Sequence, residues 1–164
     1  MAETDKQGGA PDQGNPQSGG FPLTVVSQYV KDLSFENPGG PDSLMNLKEV
    51  PHGTVRVDVR VQPRTPPEIE IVLFLSVEAK TADKVVYVTE CEYGGIFRLG
   101  RVSQEAVLPL IMIEAPRLLF PFAREIVANL IQQAGFRAML IHPIDFAVHY
   151  REHRERGGGG GIQH

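Results

Sequence analysis

Hydrophobic and polar residues alternate over the first half of the chain as they do in β-strands. In residues 54–62, valines occupy every second position, with charged or polar residues between them. Residues 68–80 show the same period of two, which is typical of half-buried strands. Residues 85–97 are mostly apolar and predict a further strand. A less regular alternation over residues 23–36 predicts one more strand, which ends at a run of Asn, Pro and Gly. The sequence therefore predicts four strands.

The arrangement of these strands follows from their connections, which are short and contain no predicted crossover helix. Short connections favour an antiparallel meander. In the fourth strand, the pair Gly94-Gly95 indicates a bulge or a close approach of another group to the backbone. In the first strand, one face is expected to carry Leu23, Val25, Tyr29, Leu33 and Phe35.

The second half of the chain has a helical pattern. Ser103 suits the N-cap of a first helix, but Pro109 and Pro116 predict that this helix is short or broken. Pro121 is expected in the first turn of the next helix. The apolar face of that helix is expected to contain Phe122, Ile126, Val127, Leu130 and Ile131.

The end of the second helix and the start of a last one also have sequence signals. Gly135 is expected just beyond the C-terminus of the second helix, where a positive φ is common. The last helix is expected after Pro143. Together the elements predict an α+β fold, with an antiparallel sheet followed by C-terminal helices.

The two ends of the chain differ in composition from its centre. Residues 1–20 are rich in Gly, Pro, Gln and Asp, and residues 156–164 contain a run of glycines. Such segments bury too little apolar surface to offset the entropy of ordering them. We therefore predict a disordered N-terminal tail, a folded domain over residues 21–155 and a flexible C-terminal tail.

Charge and cysteine content narrow the class of protein. The formal net charge is −4, so the chain has no bulk attraction for nucleic acid or anionic lipid. A single cysteine permits no internal disulfide. The N-terminus lacks the pattern of a signal peptide, and no apolar run approaches the roughly 20 residues that cross a bilayer. These features predict a cytoplasmic protein without direct membrane insertion.

The predicted sheet has too much apolar surface for one chain to cover. In residues 85–93 both faces are mostly apolar or uncharged, and residues 68–77 are similar. The helices of the same chain can cover one face, and a symmetric partner is the simplest cover for the other. This pattern predicts a homo-oligomer, and the alternative is a compact monomer whose helices wrap further.

Four segments, in order, resemble the SecB family of protein-export chaperones. They are residues 29–38 (YVKDLSFENP), 90–97 (ECEYGGIF), 115–125 (APRLLFPFARE) and 141–146 (IHPIDF). The third segment is the most specific. The chain departs from the family pattern over residues 42–54 and in its C-terminal tail, where many relatives are acidic.

The resemblance implies a function and an assembly. It implies an ATP-independent chaperone, without a cofactor, that binds unfolded precursor polypeptides in apolar grooves and delivers them to the SecA translocation ATPase. It also implies a homotetramer, built as a dimer of dimers. Family positions implied to support subunit packing correspond to Thr89, Cys91 and Tyr93.

The resemblance further implies a docking surface for the basic, zinc-bearing tail of SecA. The corresponding positions are Asp32, Glu36, Val88 and Glu90. Asp32 and Glu36 are four residues apart in a strand, so they share a face at a separation of roughly 13 Å. Carboxylates spread over a flat surface suit the attraction of a basic partner.

A groove for unfolded chains is expected between the sheet-side loops and the helices. The residues expected to line it are Phe97, Phe120, Phe122, Ile144, Phe146 and Tyr150. The alternative for each of these residues is ordinary packing in the core.

Other functions find less support in the sequence. The chain has no phosphate-binding loop, no Gly-x-Ser-x-Gly motif and no Cys-x-x-Cys motif, which argues against an enzyme. His149 and His153 are spaced to share a helix face, but no further metal ligands cluster near them. A small-ligand-binding module and an oligomeric scaffold for one folded partner are the remaining alternatives.

Overall fold

The computed structural model describes residues 20–82 and 84–157. Most of the two predicted tails, residues 1–19 and 158–164, therefore lies outside the described residues. The elements in chain order are strand β1 (Leu23–Glu36), helix α1 (Asp42–Met45), strands β2 (His52–Pro63), β3 (Glu68–Thr81) and β4 (Lys84–Leu99), helix α2 (Gln104–Pro109), a π-helical turn (Leu110–Glu114), and helices α3 (Ala115–Gln133) and α4 (Phe146–Arg156).

The four strands form one antiparallel sheet in the order β1-β4-β3-β2. The predicted meander holds for β2, β3 and β4, but it is wrong for β1, which pairs with β4. Strands β1 and β2 are therefore the two edges, about 14 Å apart at the usual strand spacing. The connection over residues 37–51 is long enough to cross this distance, which a two-residue hairpin could not do.

Two register shifts interrupt the pairing of β1 with β4, between Val25 and Ser27 and between Val30 and Asp32. Each shift inserts one residue and moves the following side chains to the other face of the sheet. Tyr29, opposite Gly94, consequently faces away from Leu33, opposite Cys91. The prediction that Tyr29 shares a face with the apolar residues of β1 is therefore wrong.

The sheet has an inner face covered by α3 and an outer face open to solvent. The inner face and the helix form the core, with fully buried Leu73, Leu75, Leu119 and Val127. The outer face is charged, so it is not the uncovered apolar surface from which we predicted an oligomer. One of its apolar residues, Val72, is only 1% exposed.

The first of the predicted helices, α2, is short and ends at Pro109 as expected, but the helical backbone continues beyond it. Residues 104–133 are continuously helical, and the π-helical turn joins α2 to α3. Ala115 donates its N–H to the carbonyl of Leu110, five residues back, next to Pro116 in the first turn of α3. Pro121 lies inside α3 and not in its first turn. By length and composition this helix could cross a bilayer, as a core helix often could, and a third of its most apolar window is buried.

The helix ends confirm several predictions. Ser103 is the N-cap of α2, although its side chain makes no capping hydrogen bond. Gly135 follows α3 with φ +93°, and the N–H groups of Gly135 and Phe136 return to the carbonyls of Gln132 and Ile131. This pairing is the Schellman motif.

The buried face of α3 is rotated from the one predicted. Val127 and Ile131 are buried as predicted, whereas Phe122 is 51% exposed. The other buried side chains of α3 are Ala115, Pro116, Leu119, Phe120 and Ala123. The last helix, α4, has Asp145 as its N-cap, and the Asp145 carboxylate accepts hydrogen bonds from the N–H groups of Ala147 and Val148.

Candidate functional site: an apolar groove and a charged sheet face

Half of the residues predicted to line a client groove lie in the closed core. Phe97, Phe120 and Phe146 are at most 5% exposed, and the last two pack edge to face with ring centroids 5.9 Å apart. These three predictions are wrong, because the aromatic residues fill the space between the inner face and the helices. Ile144 and Tyr150 are partly exposed, and Phe122 stacks on Tyr93 at 6.1 Å on the exposed side of α3.

An open apolar groove lies instead between the connection of β1 to β2 and the segment after α3. Its volume is about 610 Å³. Tyr87 and Phe136 lie at its base, with ring centroids 4.8 Å apart, and Phe35 stacks on Tyr87 at 5.4 Å. We call this the Tyr87 groove, and its lining residues include Leu44, Leu47, Val50, Pro51, Tyr87, Phe136 and Met139.

A second open groove of about 760 Å³ lies on the other side of the same connection. Ser43, Leu47, Lys48 and Glu49 line both grooves, so this stretch is the wall between them. Sequence reasoning missed the wall because its residues show neither a helical nor a strand period. The available signal was a set of large apolar residues in a segment rich in turn formers, since Leu44, Met45, Leu47 and Val50 are all exposed.

The four residues predicted for SecA docking all lie on the outer face of the sheet. Glu36 is directly opposite Val88, while Glu90 and Asp32 lie opposite Ser34 and Glu92. They lie on β1 and β4, near the C-terminal end of β1.

The other acids of the outer face are paired with bases of the same chain. The salt bridges are Lys31–Glu70 at 2.7 Å, Lys80–Glu78 at 2.7 Å, Arg98–Glu68 at 2.9 Å, and Arg60 with both Glu92 and Asp58. Within the described part of the chain, Asp32, Glu36 and Glu90 make no salt bridge. Unneutralised negative charge on this face is thus concentrated at the Asp32–Glu36–Glu90 end.

A buried polar cluster links β1 to β3 on the outer face. Glu70 is 7% exposed and accepts hydrogen bonds from the Tyr29 hydroxyl and the Lys31 ammonium group. These two bonds lower the pKa of Glu70, with Lys31 the stronger influence. Burial and the same carboxylate raise the pKa of Tyr29 to about 12. Tyr29 fits there because a Cβ on Gly94 would lie only 2.7 Å from its ring, which confirms a close approach at that glycine.

The residues predicted for the oligomer interface are buried inside the chain. Thr89 and Cys91 are fully buried within this chain and Tyr93 is 8% exposed, and their support of subunit packing stays a prediction. Thr89 donates its hydroxyl to the carbonyl of Ser34 at 2.9 Å. Burial, with the nearby charges of Asp32 and Glu92, raises the pKa of the Cys91 thiol to about 11. An uncharged, buried thiol is a poor nucleophile.

The two histidines of α4 take part in packing. Their rings stack with centroids 6.3 Å apart, and Nε2 of His149 lies 3.1 Å from the carbonyl oxygen of Val57 on the edge strand β2. In residues 20–82 and 84–157, no three potential metal-ligating side chains of His, Cys, Asp or Glu come together.

Comparison with known sequences identifies one family. The model of the family described as preprotein translocase subunit SecB matches residues 16–157. The protein-export protein SecB of Bradyrhizobium sp. strain BTAi1 is 43% identical over 143 residues, which cover 87% of this chain and 88% of that protein. The protein of the same name from Agrobacterium fabrum is 46% identical over 125 residues, covering 76% and 78% of the two chains.

Among solved structures, a SecB-like chaperone of Mycobacterium tuberculosis has the same fold. It was solved in complex with a peptide from an antitoxin. The TM-score is 0.61 at 11% sequence identity, over 74% of this chain and 90% of that one.

Proposed function

Because the chain belongs to the SecB family of protein-export chaperones, we propose that it holds unfolded precursor polypeptides in the two grooves beside residues 43–49. The observation that carries this proposal is the open apolar groove with Tyr87 and Phe136 at its base. The groove is open to solvent, and exposed apolar side chains such as Leu44, Leu47 and Val50 line it. A groove of this kind fits a segment of an extended chain better than a compact metabolite.

The binding energy of such a groove comes from apolar burial, which contributes about 25 cal/mol per Å² and depends little on sequence. Each client segment loses conformational entropy when it becomes ordered in a groove, so a single groove binds weakly. Several grooves acting on one long client raise its overall affinity through effective concentration. Folded proteins bury the segments needed, and this selects for unfolded clients.

The groove is tested by sizing with inline light scattering, using one model protein in folded and permanently unfolded forms. We expect only the unfolded form to shift the mass of the chaperone. Leu47→Ser, which alters the wall shared by both grooves, should weaken binding of the unfolded form about tenfold.

The matched control is Met45→Ser in the same connection, because Met45 is 81% exposed and lines neither groove. It should bind as the unaltered protein does. Equal binding of folded and unfolded forms would contradict the chaperone function, and equal weakening by both substitutions would contradict the position of the groove.

We further propose that the outer face docks SecA, through Asp32, Glu36 and Glu90 with Val88 among them. The support is that these three acids make no salt bridge with the rest of the described chain. Carboxylates that are free of internal partners can pair with a basic segment without first breaking a bond.

Neutralising the three acids as Asp32→Asn, Glu36→Gln and Glu90→Gln should weaken binding of purified SecA about tenfold at low salt. Calorimetry or surface plasmon resonance measures this loss. The control removes three exposed acids from the helices, Glu105, Glu152 and Glu155, as glutamine substitutions. If both triple variants lose the same affinity, only net charge matters and the docking surface is wrong.

For the assembly we propose a homotetramer, a dimer of dimers that works in the cytoplasm without a cofactor. Two apolar surfaces support it. One is the edge strand β1, where Val25, Val26, Val30 and Leu33 are exposed, and the other is the outer side of the long helix, with Leu108, Leu118 and Phe122. Exposed apolar surfaces of this kind are typical of subunit interfaces.

A further inference from the structure

Arg60 holds two carboxylates near the centre of the outer face. It lies on the edge strand β2, forms a salt bridge with Glu92 of β4, and has its Nε 3.6 Å from Oδ2 of Asp58. Its guanidinium also lies 5.2 Å from the centre of the Phe74 ring. Three contacts fix this side chain across the middle of the sheet, although about half of its surface is exposed.

The salt bridge between Arg60 and Glu92 affects the neighbouring docking surface of Asp32, Glu36 and Glu90. Glu92 lies directly opposite Asp32 in the pairing of β1 with β4. Side chains opposite each other on one face have Cβ atoms about 5 Å apart, and like charges there repel. Without Arg60, the unneutralised acids of the face would extend from Asp32 through Glu92 to Asp58, instead of ending at Asp32.

We propose that Arg60 is the residue that determines where a basic segment binds on the outer face, by occupying Glu92 and Asp58 and so confining docking to Asp32, Glu36 and Glu90. This inference rests on the proposed docking of a basic partner. Arg60 competes well with such a partner for the carboxylates of Glu92 and Asp58, because it belongs to the same chain and has a high effective concentration there. Its fixed charge also repels a lysine or arginine that approaches the centre of the sheet.

The experiment measures binding of a fluorescent lysine-rich peptide to the full chain by anisotropy, at low and moderate salt. Arg60→Gln should tighten binding about two- to fivefold at low salt and steepen its salt dependence, because two more carboxylates become available. Arg60→Lys keeps the charge and should stay close to the unaltered protein.

Arg56→Gln is the matched control. Arg56 lies on the same strand and the same face, and it makes no salt bridge with any described residue. The Arg56→Gln substitution removes one positive charge, as Arg60→Gln does, but it frees no carboxylate from a salt bridge. Its effect on peptide affinity should therefore be at most half that of Arg60→Gln. A second peptide, with glutamine in place of each lysine, carries no positive charge. It tests whether the Phe74 ring, newly exposed in Arg60→Gln, attracts the peptide without any charge pairing.

The outcomes distinguish the role of Arg60 from the docking of a basic segment on the outer face. If the lysine-rich peptide fails to bind the unaltered protein, basic docking on this face is wrong and the inference falls with it. If the peptide binds, but Arg60→Gln and Arg56→Gln act alike, the docking proposal stands and the role of Arg60 is overturned. Equal tightening for the glutamine peptide would overturn it as well, because burial of Phe74 would then be the cause.

Discussion

Glu70 is a nearly buried acid on the charged outer face of the sheet. Its carboxylate accepts hydrogen bonds from Tyr29 and Lys31, and the Lys31 ammonium group also donates to Gln62 of β2 at 3.1 Å. The side chain of Lys31 is thereby drawn across the sheet, away from its neighbour Asp32. A buried charge with two good donors is stabilising only while both donors remain.

Glu70→Gln should therefore lower the free energy of unfolding by about 1–3 kcal/mol at neutral pH. The pKa of Glu70 is lowered in the folded state, so its stabilisation is present above the ordinary pKa range of a glutamate. It is lost as the pH falls through the lowered pKa of the folded state. Denaturant unfolding curves of the variant and the unaltered protein should accordingly converge in acid.

The control at the residue scale is Glu68→Gln, two positions earlier on the same strand and face. Glu68 pairs with Arg98 at 2.9 Å, but the pair is exposed to solvent. An exposed pair contributes at most about 1 kcal/mol. If Glu68→Gln lowers the free energy of unfolding as much as Glu70→Gln does, the burial of Glu70 is not the reason for its contribution to stability.

At the scale of elements, the end of α3 and the wall of the grooves depend on each other. A Cβ on Gly135 would lie 3.2 Å from Cδ1 of Leu44 in α1, so the helix cap and the wall are in contact. Helix α1 has only four residues and buries none of them. The position of the wall thus depends on contacts such as this one and not on α1 itself.

Gly135→Ala should destabilise the fold by about 1–2 kcal/mol, because a side chain is disfavoured at φ +93°. It should also weaken binding of unfolded clients, since the new methyl group displaces Leu44 from the Tyr87 groove. Unfolding curves and client titrations measure the two effects. Gly20→Ala, where an added Cβ meets no atom within 4 Å, is the control and should change neither.

At the scale of the whole molecule, the exposed apolar side of the long helix predicts assembly. Phe122→Glu places a charge in the middle of that surface, and we expect it to split the tetramer. The mass by light scattering should fall from about 72 kDa, four times the 18.0 kDa of the chain, towards that of a dimer or monomer.

Leu140→Glu, the control, introduces the same charged residue at an apolar position that is 76% exposed and lies outside the helix. It should leave the mass unchanged. If the unaltered protein is a monomer, or if Phe122→Glu remains a tetramer, the helix surface is not the interface.

The sequence predicted the type and order of the main elements well. The valines of β2 and the alternation of β3 placed their apolar rows on the inner face, because a strand exposes successive side chains to opposite sides. Gly135 marked the end of α3 for an equally local reason. The resemblance to SecB, carried by four short segments, agrees with the family that the comparisons identify.

Local patterns failed where distant contacts decided the outcome. The bulges in β1 turned Tyr29 to the outer face, where Glu70 and Gly94 receive it. The π-helical turn kept the long helix continuous despite its prolines. The irregular connection after β1 became the wall of the grooves, although its sequence follows no period.

The sequence by itself therefore determined the strands, the helix ends and the family, since these depend on neighbours within a few residues. Only the tertiary structure decided that Phe97, Phe120 and Phe146 close the core instead of lining a groove, because burial depends on what the rest of the chain places against a side chain. The same holds for the acids of the outer face. Arg60, Lys31 and Arg98 reach their carboxylates across strands distant in sequence, and that pairing leaves Asp32, Glu36 and Glu90 without a salt-bridge partner in the described chain.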